Sequence, residues 1–127
     1  MAEKLGYTKK QRLLSRDDFA RVYNQEHFAA DNVLVIRARR SRGISRLGLS
    51  VSKKVGNAVV RNRWKRRIRE AFRLQQNEVP QGLDIVVRPR KGAVCDFKAI
   101  KESLPKLMQR LDRKMPPLSS GDGGEAC

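Results

Sequence analysis

The chain has 127 residues, with 29 lysines and arginines against 13 acidic residues, so its formal net charge is +16. Hydrophobic residues make up 39% and charged residues 33%, a balance that excludes a wholly disordered or a fibrous chain. The excess of positive charge disfavours an acidic enzyme that acts on small molecules. It predicts a polyanionic partner, and nucleic acid fits best because phosphate neutralisation releases condensed counterions. A nonspecific cationic surface or an anionic membrane would be the alternatives.

The apolar and cysteine patterns predict a cytoplasmic protein. The longest apolar run, residues 33–36, is far too short to span a bilayer. Residues 1–6 contain no apolar stretch of the kind found in secretory signals, so no such signal is expected. Cys95 and Cys127 are the only cysteines, and the second ends a Gly/Ser-rich segment where a disulfide would constrain little.

The first predicted elements are a short helix and a strand. Ser15 is followed three residues later by Asp18, which is a helix-start signature, and Phe19, Val22 and Tyr23 then form one apolar stripe. Residues 33–40 read as a strand that becomes basic toward its end, and residues 41–43 as a turn.

A second strand, residues 46–53, alternates cleanly. Leu47, Leu49 and Val51 are predicted to face a core, and Gly48, Ser50 and Ser52 the opposite side. The small side chains on that second side either leave space above the sheet or allow a helix to pack closely.

The remaining elements complete one domain over residues 1–114. Asn57 is placed to cap a long helix over 58–76, residues 80–82 form a turn, and a strand over 83–88 ends at Pro89. Asp96 caps a last helix in which Pro105 predicts a kink or a break. Residues 115–127 are rich in Gly, Pro and Ser and are predicted to be a flexible tail.

The long helix carries an unusual concentration of charge. Residues 61–73 contain seven basic side chains and one acidic side chain, Glu70. An apolar stripe can anchor this helix to the sheet, and it consists of Val60, Trp64, Ile68, Ala71 and Phe72. A second arc is polar and basic, and it consists of Asn62, Lys65, Arg66, Arg69 and Arg73. A solvated helix face is the simple explanation. However, like charges four residues apart repel, and positive charge near a helix start opposes the helix dipole, so a bound polyanion explains the pattern better.

No catalytic or metal-binding constellation is evident. His27 is the only histidine, and one histidine with two distant cysteines does not make a zinc site. No carboxylate cluster, P-loop or dinucleotide fingerprint occurs. The chain is therefore predicted to bind its partner without cutting it, and to have no catalytic side chain and no metal ligand.

The central segment resembles a known family. Residues 48–60 read GLSVSKKVGNAVV, and the RNR motif Arg61-Asn62-Arg63 follows with Lys65, Arg66 and Arg69. This pattern is similar to the signature of the bacterial ribonuclease P protein component, and the resemblance covers about residues 10–113. It implies an α/β two-layer fold of order αβββαβα, like the second domain of ribosomal protein S5, with a left-handed β–α–β crossover. The pattern of residues accounts for three of the four strands that the family has.

The resemblance also implies a function. The family's protein joins a catalytic RNA that, with Mg²⁺ held mainly by RNA, removes the 5′ leader of precursor tRNA, and the protein alone is expected to bind no cofactor. The residues implied to contact the catalytic RNA are Lys53, Lys54, Asn57, Arg61, Asn62, Arg63, Lys65, Arg66 and Arg69. Those implied to line a cleft for the leader are Arg12, Phe19, Tyr23, Leu34, Ile36, Ser50 and Ser52. No membrane or protein partner is expected. The alternative is a structural ribosomal RNA-binding protein, which would not need a leader cleft.

Overall fold

The computed structural model describes residues 16–23, 27–41 and 43–115. Within these ranges the helices and strands occur in the order αβββαβα, which confirms the predicted fold class. The elements are α1 (Arg16–Tyr23), β1 (Phe28–Ala30), β2 (Leu34–Arg40), β3 (Arg46–Leu49), α2 (Ala58–Leu74), β4 (Leu83–Pro89) and α3 (Phe97–Lys114), with a short 3₁₀ helix (Lys53–Val55) before α2. The predicted cap Ser15 lies outside the described residues.

The strands form one mixed sheet in the order β1-β2-β4-β3. Strand β2 is antiparallel to both β1 and β4, whereas β3 is parallel to β4. Helix α2 therefore lies in a crossover between two adjacent parallel strands. The resemblance implies that this crossover is left-handed, and its handedness stays a prediction.

Strand β3 is shorter than predicted, and its neighbour explains why. The backbone N–H of Ser50 still donates to the carbonyl of Val87 at 3.0 Å. The next ladder bond would need an N–H from Pro89, and proline has none. The chain consequently leaves the sheet and turns through the 3₁₀ helix toward α2.

The turn into α2 depends on a glycine and an asparagine. A Cβ atom on Gly56 would lie 2.9 Å from two side-chain atoms of Val60, so only glycine permits this close approach. The Asn57 side chain then accepts a hydrogen bond from the backbone N–H of Val60 at 3.0 Å, as predicted for the cap. The helix begins where the sequence predicted and ends two residues earlier, at Leu74.

The main core lies between one face of the sheet and helices α2 and α3. The apolar stripe of α2 is confirmed, because Trp64, Ile68, Ala71 and Phe72 are all buried. They pack with α3 and with the inward side chains of the strands, among them Leu34, Ile36, Leu47, Ile85 and Val87. On the opposite face of the sheet, Val22 of α1 packs against Val86.

Helix α3 does not break at Pro105. It runs unbroken from Phe97 to Lys114, and the Asp96 side chain caps it by accepting from the backbone N–H of Ala99 at 3.0 Å. Buried side chains before and after the proline pack in the same core, and burial of each one stabilises the fold by about 1.5–3 kcal/mol. Together they outweigh the cost of the one backbone hydrogen bond that the proline cannot make. The break offered as one possibility was therefore wrong.

The packed region extends to Met115. This residue was predicted to begin the tail, but its side chain is buried and its carbonyl accepts a hydrogen bond from Arg40 at 3.1 Å. Residues 116–127 lie outside the described part of the chain, so the predicted tail there stays a prediction. None of the described helices has the length and apolarity needed to cross a membrane.

Candidate nucleic-acid interface

Helix α2 exposes three of its seven basic side chains and leaves the other four half-buried. Because its apolar stripe is fixed against the sheet, Asn62, Arg63, Arg66 and Arg69 are exposed and Lys65 is half-buried. These residues, together with the half-buried Arg61, form what we call the α2 basic face: Arg61, Asn62, Arg63, Lys65, Arg66 and Arg69.

The positive charges of this face are not neutralised within the described part of the chain. The ion pairs there involve other residues, and none joins a carboxylate to a cation of the α2 basic face. Arg73, which the sequence put on the same arc, instead binds Glu70 through two hydrogen bonds. The Arg73 side chain lowers the pKa of Glu70 and keeps that carboxylate charged.

Two further arginines of α2 differ in their surroundings. The Nε atom of Arg61 is buried and has no hydrogen-bond partner among the described residues. A buried hydrogen-bond donor without a partner costs free energy. Arg67, by contrast, donates to the carbonyl of Cys95, so it fastens the loop before α3 to the helix.

The basic surface continues toward the end of β3. Lys53 and Lys54 are both exposed on the 3₁₀ helix that leads into α2. Asn57 is exposed as well, but its side-chain oxygen already caps α2. Contact of these residues with RNA stays a prediction, while the capping role of Asn57 is a feature of the fold.

Two of the predicted cleft residues were wrong. Leu34 and Ile36 are 0% exposed and lie in the main core, on the face of the sheet that α2 and α3 cover. Side chains of a strand alternate between faces, so the neighbouring residues Val35 and Arg37 take the opposite face. A register error of one residue is enough to exchange the two sets.

The opposite face of the sheet holds the groove that the prediction required. A cavity of about 330 Å³ opens there beside β1 and β2, and it is lined by Phe28, Ala30, Val35, Arg37, Arg88, Arg90 and Lys91. Tyr23 of α1 is 41% exposed, and the Arg37 guanidinium carbon lies 5.6 Å from the centre of its ring. The Phe19 side chain and Arg12 lie outside the described part of the structure.

Of the two predicted serines, Ser52 lines one of the two cavities described for this region and Ser50 lines neither. Ser50 follows β3 and is half-buried. Ser52 is exposed and lines a second cavity of about 510 Å³ together with Lys54, Arg88, Arg90 and Lys91. The last three residues line both cavities, so the Arg88–Lys91 segment connects the groove with the approach to α2.

Several residues of this groove were missed by sequence reasoning. They are Phe28, Val35, Arg37, Arg88, Arg90 and Lys91. The sequence did carry one signal, since three of the four residues from Arg88 to Lys91 are basic and lie at the end of a strand. Phe28 gave no signal, because β1 has only three residues and no readable alternation.

Other arginines on this face are neutralised. Asp84 of β4 is 1% exposed, and Arg46 binds both of its carboxylate oxygens, at 2.9 and 2.7 Å. Arg39 approaches the same carboxylate at 3.8 Å. Among the residues that the structure describes on this face, cations without a carboxylate partner therefore lie near Arg37 and Arg88.

The described residues contain no group of three or more histidine, cysteine or acidic side chains that could hold a metal ion. The basic surface and the groove present guanidinium and ammonium groups, which are suited to binding a polyanion. Together with the fold, they define the class: a small basic α/β protein with a cationic helix face and an aromatic, cationic groove on its sheet.

Comparisons with known proteins identify the family. The family model described as Ribonuclease P matches residues 7–112. The ribonuclease P protein component of Caldanaerobacter subterraneus is 40% identical over 112 residues, covering 87% of this chain and 92% of the relative. That of Brevibacillus brevis is 38% identical over 117 residues, covering 89% and 93%.

Solved structures agree. The RNase P protein from Thermotoga maritima has a TM-score of 0.70 at 37% identity, covering 78% of this chain and 96% of that chain. The RNase P protein of Staphylococcus aureus has a TM-score of 0.69 at 35% identity, covering 79% and 94%. The chain belongs to the ribonuclease P protein component family, whose holoenzyme is an endoribonuclease of tRNA processing. Membership favours this function over that of a structural ribosomal protein.

Proposed function

We propose that this protein binds the catalytic RNA of ribonuclease P through the α2 basic face and the 5′ leader of precursor tRNA in the groove on the opposite face of the sheet. Lys53, Lys54 and Asn57 extend the first surface. Arg12, Phe19, Tyr23, Ser50 and Ser52 contribute to the second, in which Val35 and Arg37 take the places first assigned to Leu34 and Ile36.

The observation that carries the first half of the proposal is the unneutralised charge of the α2 basic face. Guanidinium groups bind phosphate oxygens through two parallel hydrogen bonds, and Asn62 offers both a donor and an acceptor to a 2′-hydroxyl or a base edge. RNA lying along the helix would provide phosphate oxygens for the guanidinium groups and hydrogen-bonding partners for Asn62.

The groove suits single-stranded RNA. Its exposed aromatic ring and its cations combine a stacking surface with phosphate contacts, the pairing that sequence-tolerant single-strand binding requires. A duplex would keep its bases stacked and unavailable to such a surface.

In this proposal the RNA subunit performs the hydrolysis. Mg²⁺, held mainly by RNA, supplies charge stabilisation at the reacting phosphate. The side chains of this chain neutralise phosphates on the RNA and on the leader. Lower repulsion between the two RNAs then allows assembly at lower Mg²⁺ concentration.

The test is reconstitution with the cognate RNA subunit and a precursor tRNA at low Mg²⁺ concentration. We expect the protein to raise the rate of 5′ cleavage well above that of the RNA alone. Arg66→Ala should reduce this gain for every substrate, whereas Arg113→Ala, which removes an exposed arginine from α3, should leave it unchanged. Equal cleavage with and without the wild-type protein would overturn the proposal.

A second arm separates the two surfaces. Phe19→Ala and Tyr23→Ala should weaken only substrates that carry a leader, because those side chains are assigned to the groove. Arg66→Ala should act equally on substrates with and without a leader. If all three substitutions affected both substrates alike, the division into two surfaces would be wrong.

A further inference from the structure

Phe28 is an exposed aromatic residue held between cations. It lies on the edge strand β1 and is 48% exposed. The Arg37 guanidinium carbon lies 5.7 Å from the centre of its ring and the Lys114 Nζ atom 5.6 Å from it, both within the range of cation–π attraction. Lys114 also donates a hydrogen bond to the Phe28 carbonyl at 3.0 Å. The ring is thus fixed in place while half of its surface stays open.

Arg37 links this ring to α1. Phe28 and Arg37 are direct register partners across β1 and β2. The same guanidinium lies 5.6 Å from the Tyr23 ring, so one cation contacts two exposed aromatic rings. No carboxylate pairs with Arg37 in the ranges that the structure describes, and its charge remains available to a ligand.

The open side of the Phe28 ring faces a cavity with the composition of a nucleotide site. Its volume of about 330 Å³ is at the lower end of the range for small-ligand sites. Ala30 and Val35 supply further apolar lining, and Arg88, Arg90 and Lys91 supply positive charge. A flat, apolar group flanked by phosphates fits such a site, and an unpaired nucleotide is a group of this kind.

We propose that Phe28 and Arg37 form a stacking site for one base of the 5′ leader, whose neighbouring phosphates bind Arg88, Arg90 and Lys91. This inference rests on the proposed function and adds to it a particular residue, Phe28, that contacts the substrate. Stacking depends on the face of the base and not on its hydrogen-bonding edge, so the site accepts any base but requires one to be present.

The test couples the protein side chain to single leader bases. Single-turnover cleavage by the reconstituted holoenzyme is measured for wild type and Phe28→Ala on precursors in which each leader nucleotide in turn lacks its base. For the intact leader we expect Phe28→Ala to weaken the precursor's binding about five- to 150-fold. At one leader position, removing the base should weaken binding to the wild type by a similar factor. The same removal should hardly weaken binding to Phe28→Ala any further.

Controls separate stacking from general effects. Phe28→Tyr should retain binding, because it keeps an aromatic ring. Ile44→Ala removes an apolar side chain of comparable exposure (46%) from the β2–β3 loop and should have no effect. A tRNA substrate without a leader should bind Phe28→Ala and wild type equally.

Failure of this inference is distinct from failure of the proposed function. If wild type distinguishes substrates with and without a leader but Phe28→Ala behaves like wild type, Phe28 stacks on no leader base. A loss of equal size on leaderless substrate would assign the site to the RNA subunit and overturn the inference. If wild type itself does not respond to the leader, the proposed groove function fails and this site fails with it.

Discussion

Replacing Lys65, Arg66 and Arg69 together by glutamine removes three charges from the α2 basic face without touching its buried stripe. None of the three forms an ion pair with a carboxylate in the described ranges. Each lost phosphate contact reduces the steepness of log Kobs against log salt by about 0.7 for single strands and about 0.9 for duplexes. We therefore expect the slope for RNase P RNA to become less steep by about two to three.

The same variant should fold as well as the wild type. Glutamine has nearly the helix propensity of lysine and arginine. Lys65 and Arg69 are four residues apart on α2, and relieving their repulsion is worth a few tenths of a kcal/mol. Thermal unfolding should consequently show an unchanged or slightly higher midpoint.

The assay is equilibrium binding of RNase P RNA at several salt concentrations from about 50 to 200 mM. The matched control replaces Lys98, Lys101 and Arg113, which are exposed on α3, by glutamine. It lowers the net charge equally and should change the slope little. An equal change in both variants would mean that RNA responds to overall charge, and no change in the α2 variant would refute the argument that phosphates contact this face.

Three further predictions concern the groove and the fold. Ile36→Ala should lower the free energy of unfolding by about 2–5 kcal/mol in denaturant titrations, and the folded variant should bind the leader as the wild type does. Loss of leader binding without loss of stability would show instead that Ile36 lines the groove. Asp84→Ala should cost about 3 kcal/mol because it removes the buried carboxylate that binds Arg46. Asp112→Ala should cost about 1 kcal/mol or less, because the Asp112 carboxylate is 41% exposed and Arg40 keeps its hydrogen bonds to the carbonyls of residues 112 and 115. Equal losses would contradict this argument. Burial raises the pKa of Asp31, but hydrogen bonds from Ser103 and two backbone N–H groups outweigh it and hold the pKa below its ordinary value. Such a carboxylate stabilises the fold fully above its unfolded pKa, and this contribution is lost as pH falls through the folded pKa. The difference in free energy of unfolding between wild type and Asp31→Asn should therefore shrink below about pH 4. A difference that stays constant with pH would contradict this role of Asp31.

Helix α2 was predictable because its determinants are local. Asn57 marks its start, and the spacing of Trp64, Ile68 and Phe72 selects the buried side. Once that side is known, the opposite side must be exposed. The residues of the α2 basic face could therefore be predicted from the sequence of this one segment.

The groove was less predictable because alternation defines two faces of a strand but not which one is covered. Residues 33–36 are all apolar, so both faces of β2 are plausible core faces. Packing of α2 and α3 decides the matter and buries Leu34 and Ile36. The resemblance had assigned them to the groove by position, and the one-residue error moved them across the sheet.

Two other features depend on contacts between distant segments. Strand β1 exists through its pairing with β2, which also brings Phe28 beside Arg37. Strand β3 ends early because Pro89 of its neighbour cannot donate the next hydrogen bond. Neither the pairing nor the proline's position across the sheet can be read from the segment concerned.

The most direct test of the central claim is lysine acetylation footprinting of the wild-type protein, free and bound to RNase P RNA, read by mass spectrometry. Lys53, Lys54 and Lys65 lie on or beside the α2 basic face, and Lys98 and Lys101 are exposed on α3. RNA bound along α2 should protect the first three and leave the two on α3 reactive. Protection of Lys98 and Lys101 with continued modification of Lys53, Lys54 and Lys65 would contradict the claim that RNA binds this helix face.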